Sequence, residues 1–398
     1  MKIVFFTHPD FLRHQSMPRY ANWLASGMQK RGHQVDMWSP KGYFSALPFR
    51  NKSLNKWLGY LDQYVIFPIQ VKTRLRKLPP DTLFVITDHA LGPWVPLVRD
   101  RPHIVHCHDF LAQRSATGEI RENVTGRTGR IYQSYIRKGY SAADHFISIS
   151  YKTQTDLHNM LSKPPLLSEV VYNGLTRKFR PADDVVLLRR ELSRETCVDL
   201  RAGFILHVGG NLWYKNKAGV IGAYERWRDK SEQVLPLLLI GENPDETIRT
   251  QIDSSLYKAD IHALAGMPDD FADKAYSAAS LFLFPSLAEG FGWPIIEAMA
   301  SGCPVITTDE APMNEVGGQP AVYVSRKQMG NEPEWLDECA SAIDRTLNMS
   351  DEQRANLVSG GLENVSRFDS ESALDKVENV YMRIGSGRLF RREPELHN

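Results

Sequence analysis

The sequence predicts an α/β protein made of two Rossmann-like, doubly wound parallel-sheet domains facing each other across a cleft. Three observations predict it. Short apolar runs ending at polar or glycine-bearing loops alternate with stretches of helical periodicity, the pattern of buried parallel strands joined by crossover helices. The alternation occurs twice, with a crossover near residue 175. The length of 398 residues also exceeds what one hydrophobic core ordinarily holds. The expected division is a first Rossmann-like domain at 1–175, a linker at 176–202 and a second at 203–365, with a helix at about 370–386 packing back on the first.

Composition narrows the classes. A net charge of +1 gives no global case for nucleic-acid binding. Cys107, Cys197, Cys303 and Cys339 are widely spaced, with no CxxC, and read as reduced thiols of a cytoplasmic protein. The opening run Ile3–Phe6 is too short for a signal peptide and is expected to be the first strand. No apolar run is long enough to cross a bilayer.

In the first domain, strand one leads into the loop 7–16, whose His8, Arg13 and His14, with Arg19 beyond it, are candidate ligand contacts. Tyr20, Trp23, Leu24, Gly27 and Met28 recur at helical steps and predict a helix from about Met17 to Lys30. Gln34–Trp38 is the second strand. Residues 41–78 interleave Arg50, Lys56, Lys72, Arg74 and Arg76 with Trp57, Tyr60, Tyr64 and Ile66, and carry Asp62 as their one acid. They can lie on anionic lipid, or form a solvated helix whose apolar side joins the core. Leu83–Thr87 is a strand ending at Asp88-His89, and His103–Cys107 another ending at His108-Asp109. His106 reads as packed; a metal site of His106, His108 and Asp109 is the alternative. Asp109 either orients His108 or caps the following helix. The Arg- and Gly-rich stretch 114–138 reads as a mobile loop leading into a helix from about Arg130 to Ala142, and Val170–Tyr172 as the last strand of the domain.

In the second domain, Phe204–Val208 is a strand ending at Gly209-Gly210-Asn211, and a helix begins near Asn216. Lys215 thus brings a mobile cation to backbone donors at a helix start, which suits a diphosphate. Leu281–Phe284 is a strand stopped by Pro285. Its loop holds Glu289, Gly290, Phe291 and Gly292; a short helix opens with Pro294 and carries Glu297 in its first turn; Gly302 ends it. Ligands of open α/β sheets bind at this carboxyl edge. Loop amides favour phosphate, whereas a carboxylate beside them suits hydroxyls of a ribose or a sugar. Together they describe a nucleotide-sugar pocket.

Glu289 and Glu297, eight positions apart within PSLAEGFGWPIIEAMASGCPVI, resemble the donor-site signature of the retaining GT-B glycosyltransferases of the GT4-like family. The GG…YKN pattern, with Lys215 in the lysine position, resembles that family's phosphate loop. The likeness is close over the second domain and loose over the first, where the family's glycine pair in the first loop is missing, and where Gly210 stands in place of an arginine. The resemblance implies a retaining transferase that moves a hexose, mannose or glucose type, from a GDP- or UDP-hexose to a polysaccharide or lipid-linked saccharide. It requires no metal or other cofactor. It implies donor contacts from Gly209, Gly210, Lys215, Asn216, Gly266, Met267, Glu289, Gly290, Phe291, Gly292 and Glu297. His108, Lys215 and Glu289 carry the chemistry: His108 approaches the donor sugar, Glu297 holds the ribose and Glu289 the sugar hydroxyls. A cytoplasmic enzyme with peripheral contact at the inner face of the membrane follows. Two other readings stay open, a nucleotide-sugar epimerase on the same fold and a non-catalytic nucleotide-sugar binding protein.

Overall fold

Twelve strands among the described residues form two parallel sheets. The structure, a computed structural model, describes residues 1–12, 16–47, 52–328 and 330–386. Arg13, His14, Arg50 and the tail Arg388–Asn398 lie outside the described residues. The chain divides into two units, Met1–Gly174 together with the segment from Ser370 onward, and Leu175–Asp369.

The first unit holds β1 (Lys2–Phe6), β2 (Gln34–Trp38), β3 (Leu83–Ile86), β4 (His103–Cys107), β5 (His145–Ser148) and β6 (Leu167–Val170), in the order β2-β1-β3-β4-β5-β6. All pairs are parallel, with Phe5 level with Val85 and Val85 with Ile104. Both faces are covered, so β3 and β4 are buried at every position, which is why they read as apolar runs rather than as alternating patterns. One face packs on Phe67, Trp94, Ile136 and Tyr140. The other packs on Tyr20, Leu24 and Met28 of the helix Ser16–Lys30, and on Leu374, Val377 and Tyr381 of the helix Ser370–Gly385. A Cβ on Gly27 would meet Leu374 Cδ2 at 2.5 Å, so glycine lets these two helices touch closely.

Three boundaries differ from the sequence reading. The last strand of the unit is Leu167–Val170, because pairing with β5 begins at Leu167, directly beyond Pro164-Pro165. The helix expected at Arg130–Ala142 spans Arg127–Tyr140, and the start of the expected loop, residues 114–117, belongs to the helix Leu111–Thr117. Residues 52–75 form a nearly continuous helical rod with a π-type turn at Asp62–Ile66.

The second unit holds β7 (Ile205–Val208), β8 (Leu237–Gly241), β9 (Ile261–Ala265), β10 (Leu281–Phe284), β11 (Val305–Thr308) and β12 (Val322–Val324), in the order β12-β11-β10-β7-β8-β9. Its main core joins Val220, Tyr224 and Trp227 of the helix Lys217–Arg228 to Trp335, Cys339 and Ile343 of the helix Glu332–Leu347. In each sheet the first strand of the unit has its successor on one side and a later strand on the other. The connections from the two neighbours therefore diverge, opening a crevice at the carboxyl edge between β1 and β3, and another between β7 and β10. Among the described residues no helix is long and apolar enough to cross a membrane.

Candidate active site

The crevice of the second unit gathers most of the residues singled out in the sequence. After β7 the chain passes Gly209 and Gly210 into a tight turn, Trp213–Lys215, and then Asn216, held in the left-handed region at φ 52°. After β10 it passes Pro285 into the loop of Glu289. The loops are tied twice: Asn216 Nδ2 donates to the Pro285 carbonyl at 2.9 Å, and Leu287 N donates to the Tyr214 carbonyl at 2.7 Å. This lashing brings Lys215 Nζ to 2.7 Å from Glu289 Oε1, both side chains being largely buried. The ammonium also lies 4.9 Å from the centre of the Phe284 ring. A cation and a carboxylate 74 positions apart thus face each other at the switch point.

Glu297 stands on the helix Trp293–Ala300. That helix begins one residue before Pro294, so Glu297 lies in its second turn and not its first. Tyr276, from the preceding helix Asp269–Ala278, donates its hydroxyl to Glu297 Oε2 at 3.1 Å. Burial raises the Glu297 pKa above the usual carboxylate range, against the Tyr276 hydrogen bond, which lowers it. Tyr276 itself is fully enclosed and keeps its proton.

Several expected donor contacts take different roles. The Gly209 amide donates to the Ile240 carbonyl at 2.9 Å, extending the sheet, so it is not the phosphate donor expected of it. A Cβ on Gly210 would lie 3.2 Å from the Glu242 carboxyl carbon, and Asn211 N already donates to that carboxylate at 3.1 Å. Lys217 Nζ donates to Asn211 Oδ1 at 2.8 Å. The glycine loop after β7 therefore faces the carboxylate of Glu242, from the loop after β8, as well as carrying its own lysines. The Phe291 side chain is buried against Trp293 and Phe368, which leaves only its backbone to face a ligand. Gly292 takes φ 102°, a conformation glycine adopts without strain, and starts the helix. Gly266, exposed and at φ 71°, and Met267 close β9 at the same sheet edge. His207, missed in the sequence, lies beneath the Gly209 turn. Its Nδ1 donates to the Leu283 carbonyl at 3.0 Å, its Nε2 has no partner, and burial, with Lys217 and Lys215 nearby, lowers its pKa to about 4.

The first unit presents a second polar cluster at its own switch point. His8, after β1, donates from Nε2 to Asp88 Oδ2 at 2.8 Å, and His89 Nδ1 lies 3.0 Å from Asp88 Oδ1. Burial would raise the Asp88 pKa, but His8 and His89 hold it well below the usual range. His108 donates from Nε2 to the Thr87 carbonyl at 2.9 Å, with the Tyr20 ring edge-on at 4.4 Å. Burial lowers its pKa, so the imidazole is neutral and its Nδ1 carries a lone pair. His106 is packed: Tyr20 meets its Nδ1 and Tyr381 its Nε2, both at 2.8 Å. With burial holding it neutral, one phenol donates and the other accepts. That occupies both ring nitrogens, so the alternative of a metal on His106, His108 and Asp109 is not met, and no group of three such side chains is placed to hold a metal among the described residues. Asp109 accepts from Leu111 N at 3.0 Å, which makes it a helix-start acceptor rather than a partner of His108. Arg19 is an exposed helix position.

Comparison with known proteins agrees with this architecture. Residues 17–178 match the family described as Glycosyltransferase Family 4, and residues 189–359 match Glycosyl transferases group 1. The chain is 28% identical over 181 residues to O-antigen chain mannosyltransferase B of Escherichia coli, a match spanning 45% of each chain. It is 25% identical to N-acetyl-alpha-D-glucosaminyl L-malate synthase of Bacillus anthracis, over 90% of this chain and 91% of that one. Among solved structures, Anabaena Alr3699/HepE in complex with UDP and glucose aligns with a TM-score of 0.68 at 17% identity, over 96% of this chain and 99% of that one. WaaG, a glycosyltransferase involved in lipopolysaccharide biosynthesis, aligns with a TM-score of 0.69 at 14% identity, over 95% and 99%. Those two share the fold. With both sheets, both family matches and these relatives in agreement, the chain belongs to the GT4-like glycosyltransferases of the GT-B class.

Proposed function

We propose that the enzyme is a retaining, metal-independent hexosyltransferase that takes a mannose- or glucose-type sugar from a GDP- or UDP-hexose and adds it to a polysaccharide or lipid-linked saccharide in the cytoplasm. The observation that carries this reading is the Lys215–Glu289 pair at the switch point of the second unit, with Glu297 close by on the next helix. Breaking the donor's glycosidic bond leaves negative charge on the diphosphate and positive character on the sugar ring. Lys215 meets the first, in the role a divalent ion fills elsewhere. Glu289, released from Lys215 as the phosphate takes it over, accepts from sugar hydroxyls. Glu297, set by Tyr276, accepts from the ribose. In this reading the acceptor attacks from the leaving-group side and a phosphate oxygen takes its proton. His108, neutral and with Nδ1 open, positions the sugar near its reacting carbon. The mannosyltransferase among the relatives, and the UDP and glucose bound to a neighbour of the same fold, favour this donor class.

The test is calorimetry without metal against UDP, GDP, ADP and their sugars, on the natural protein and on Glu297→Ala. The expected result is selective binding of one nucleotide series, insensitive to EDTA and weakened about tenfold or more by the substitution. Absence of binding to every nucleotide would overturn the reading. A sugar altered by enzyme and donor alone, with no acceptor, would mark an epimerase instead.

A further inference from the structure

The two helical segments on one flank of the first unit, Lys52–Leu75 and Arg127–Tyr140, carry exposed apolar side chains that the core does not use. Trp57, Val65 and Ile69 recur at steps of eight and four along the first segment and are 70%, 46% and 60% exposed. Ile131 and Tyr135 sit four apart on the second, 71% and 46% exposed. Aromatic contacts fasten the two rows side by side. The Trp57 ring meets Tyr60 at 5.8 Å, Tyr60 stacks on Tyr132 at 5.5 Å, and Tyr64 meets Tyr135 at 5.5 Å. Tyr64 and Tyr132 also join their hydroxyls at 2.7 Å. The apolar rows therefore form one surface and not two scattered strips. Contiguous exposed apolar area of this kind calls for an occupant.

The charge on that surface says which occupant. Over residues 52–78 and 127–140 the sequence has ten lysines and arginines and one acid, Asp62. That acid is turned inward. It is 1% exposed, and its carboxylate accepts from the amides of Phe44 and Ser45 at 3.1 and 2.9 Å. Lys56, Lys72, Arg127, Arg130 and Lys138 are exposed around the apolar rows, with no carboxylate of their own segments beside them. Interfacial aromatics, an aliphatic row and an uncompensated cationic rim match a bilayer surface, where rings sit at headgroup depth and lysine and arginine meet anionic lipid.

We propose that this flank of the first unit docks on an anionic lipid bilayer, with Trp57, Ile69 and Ile131 entering the headgroup layer. The docking does not depend on the donor reading, because every residue named is outside the Lys215–Glu289 crevice. Its neighbourhood is telling all the same. Tyr140 of the helix Arg127–Tyr140 meets the ring of His89, which sits beside Asp88, at 5.8 Å, so the docked surface adjoins the polar cluster of the first unit.

The test is flotation of the full chain with phosphatidylcholine vesicles and with mixed phosphatidylcholine–phosphatidylglycerol vesicles, at low and high salt. The variants are Trp57→Ser with Ile69→Ser, and separately Lys72→Glu with Arg130→Glu. The natural protein should float with the mixed vesicles at low salt, far less with phosphatidylcholine alone, and less again at high salt. Each pair of substitutions should lower the bound fraction about tenfold or more. Circular dichroism and nucleotide calorimetry on the same samples should be unchanged, which separates loss of docking from loss of fold. Failure to float with anionic vesicles, or flotation indifferent to both variants, overturns the proposal. So does retardation by a soluble polysaccharide that disappears in Trp57→Ser with Ile69→Ser while vesicles are ignored, which would make the surface a glycan platform. Loss of nucleotide binding with flotation intact would strike the donor reading and leave this one standing.

Discussion

Lys215 and Glu289 partner each other in the second unit at 2.7 Å, so a donor must replace each one's partner. Removing the cation alone leaves a carboxylate facing the diphosphate. Lys215→Ala should therefore slow transfer by about 100-fold or more, as loss of a transition-state charge partner does. Glu289→Gln should weaken turnover while leaving nucleotide diphosphate binding intact or tighter. Steady-state kinetics alongside product-nucleotide calorimetry separates the two, and equal losses in both would break the assignment. Glu297 gives a pH signature. Its pKa is raised from the ordinary 4.5 by burial, so it takes up a proton on acidification earlier than a free carboxylate. If the ribose is held by the ionised form, donor affinity must be full above that raised pKa and fall as pH drops through it. In Glu297→Gln that acid limb should vanish, and a limb of unchanged position would assign it to another group. The spacing of Glu289 and Glu297 was legible because both lie in one short stretch. Tyr276, His8 with Asp88, and Lys215 with Glu289 were not paired in advance, because sheet order rather than chain order brings them together.

At the scale of elements, strands were legible wherever burial on both faces made an unbroken apolar run, as in Leu83–Ile86 and Leu281–Phe284. Boundaries were lost where pairing overruled composition. Val170-Val171 reads as strand, yet the ladder with β5 ends at Val170. A glycine seen in sequence can also serve a close backbone approach instead of a ligand. Gly241 is such a case, since a Cβ there would lie 2.2 Å from the Gly209 carbonyl oxygen. Gly139 is another. Its Cβ would lie 2.4 Å from the Gly92 carbonyl, so the helix Arg127–Tyr140 and the turns of His89–Leu97 meet backbone to backbone. Gly139→Ala should force them apart and cost about 1–3 kcal/mol. Denaturant unfolding checks the cost. The displacement should also disturb His89 and Tyr132, so vesicle flotation should weaken with stability, whereas nucleotide binding to the second unit should hold.

At the scale of the whole molecule, the chain order and the folding units do not coincide. The second unit is one continuous stretch, Leu175–Asp369, whereas the first is completed by a helix that arrives after it. That helix is part of the first unit's core. Leu374, Val377, Val380 and Ile384 are almost fully buried, Trp23 Nε1 donates to Ser370 Oγ at 2.8 Å, and Tyr381 holds His106 beneath the strand end of His108. Four buried aliphatic side chains at about 1.5–3 kcal/mol each contribute roughly 6–12 kcal/mol, which is comparable to the whole stability of a domain, about 5–15 kcal/mol. A chain ending at Asp369 should therefore lose the first unit and keep the second. Limited proteolysis should degrade residues before about 175. Calorimetric unfolding should lose one transition and retain the other. Nucleotide binding should persist, because Lys215, Glu289, Glu297 and Tyr276 all lie in the continuous unit, while transfer and vesicle docking should be abolished. Two transitions in the shortened chain, or proteolysis that spares the first unit, would show that the sheet of six strands is stable without its last helix. Loss of nucleotide binding together with the first unit would show instead that the donor crevice depends on residues outside Leu175–Asp369.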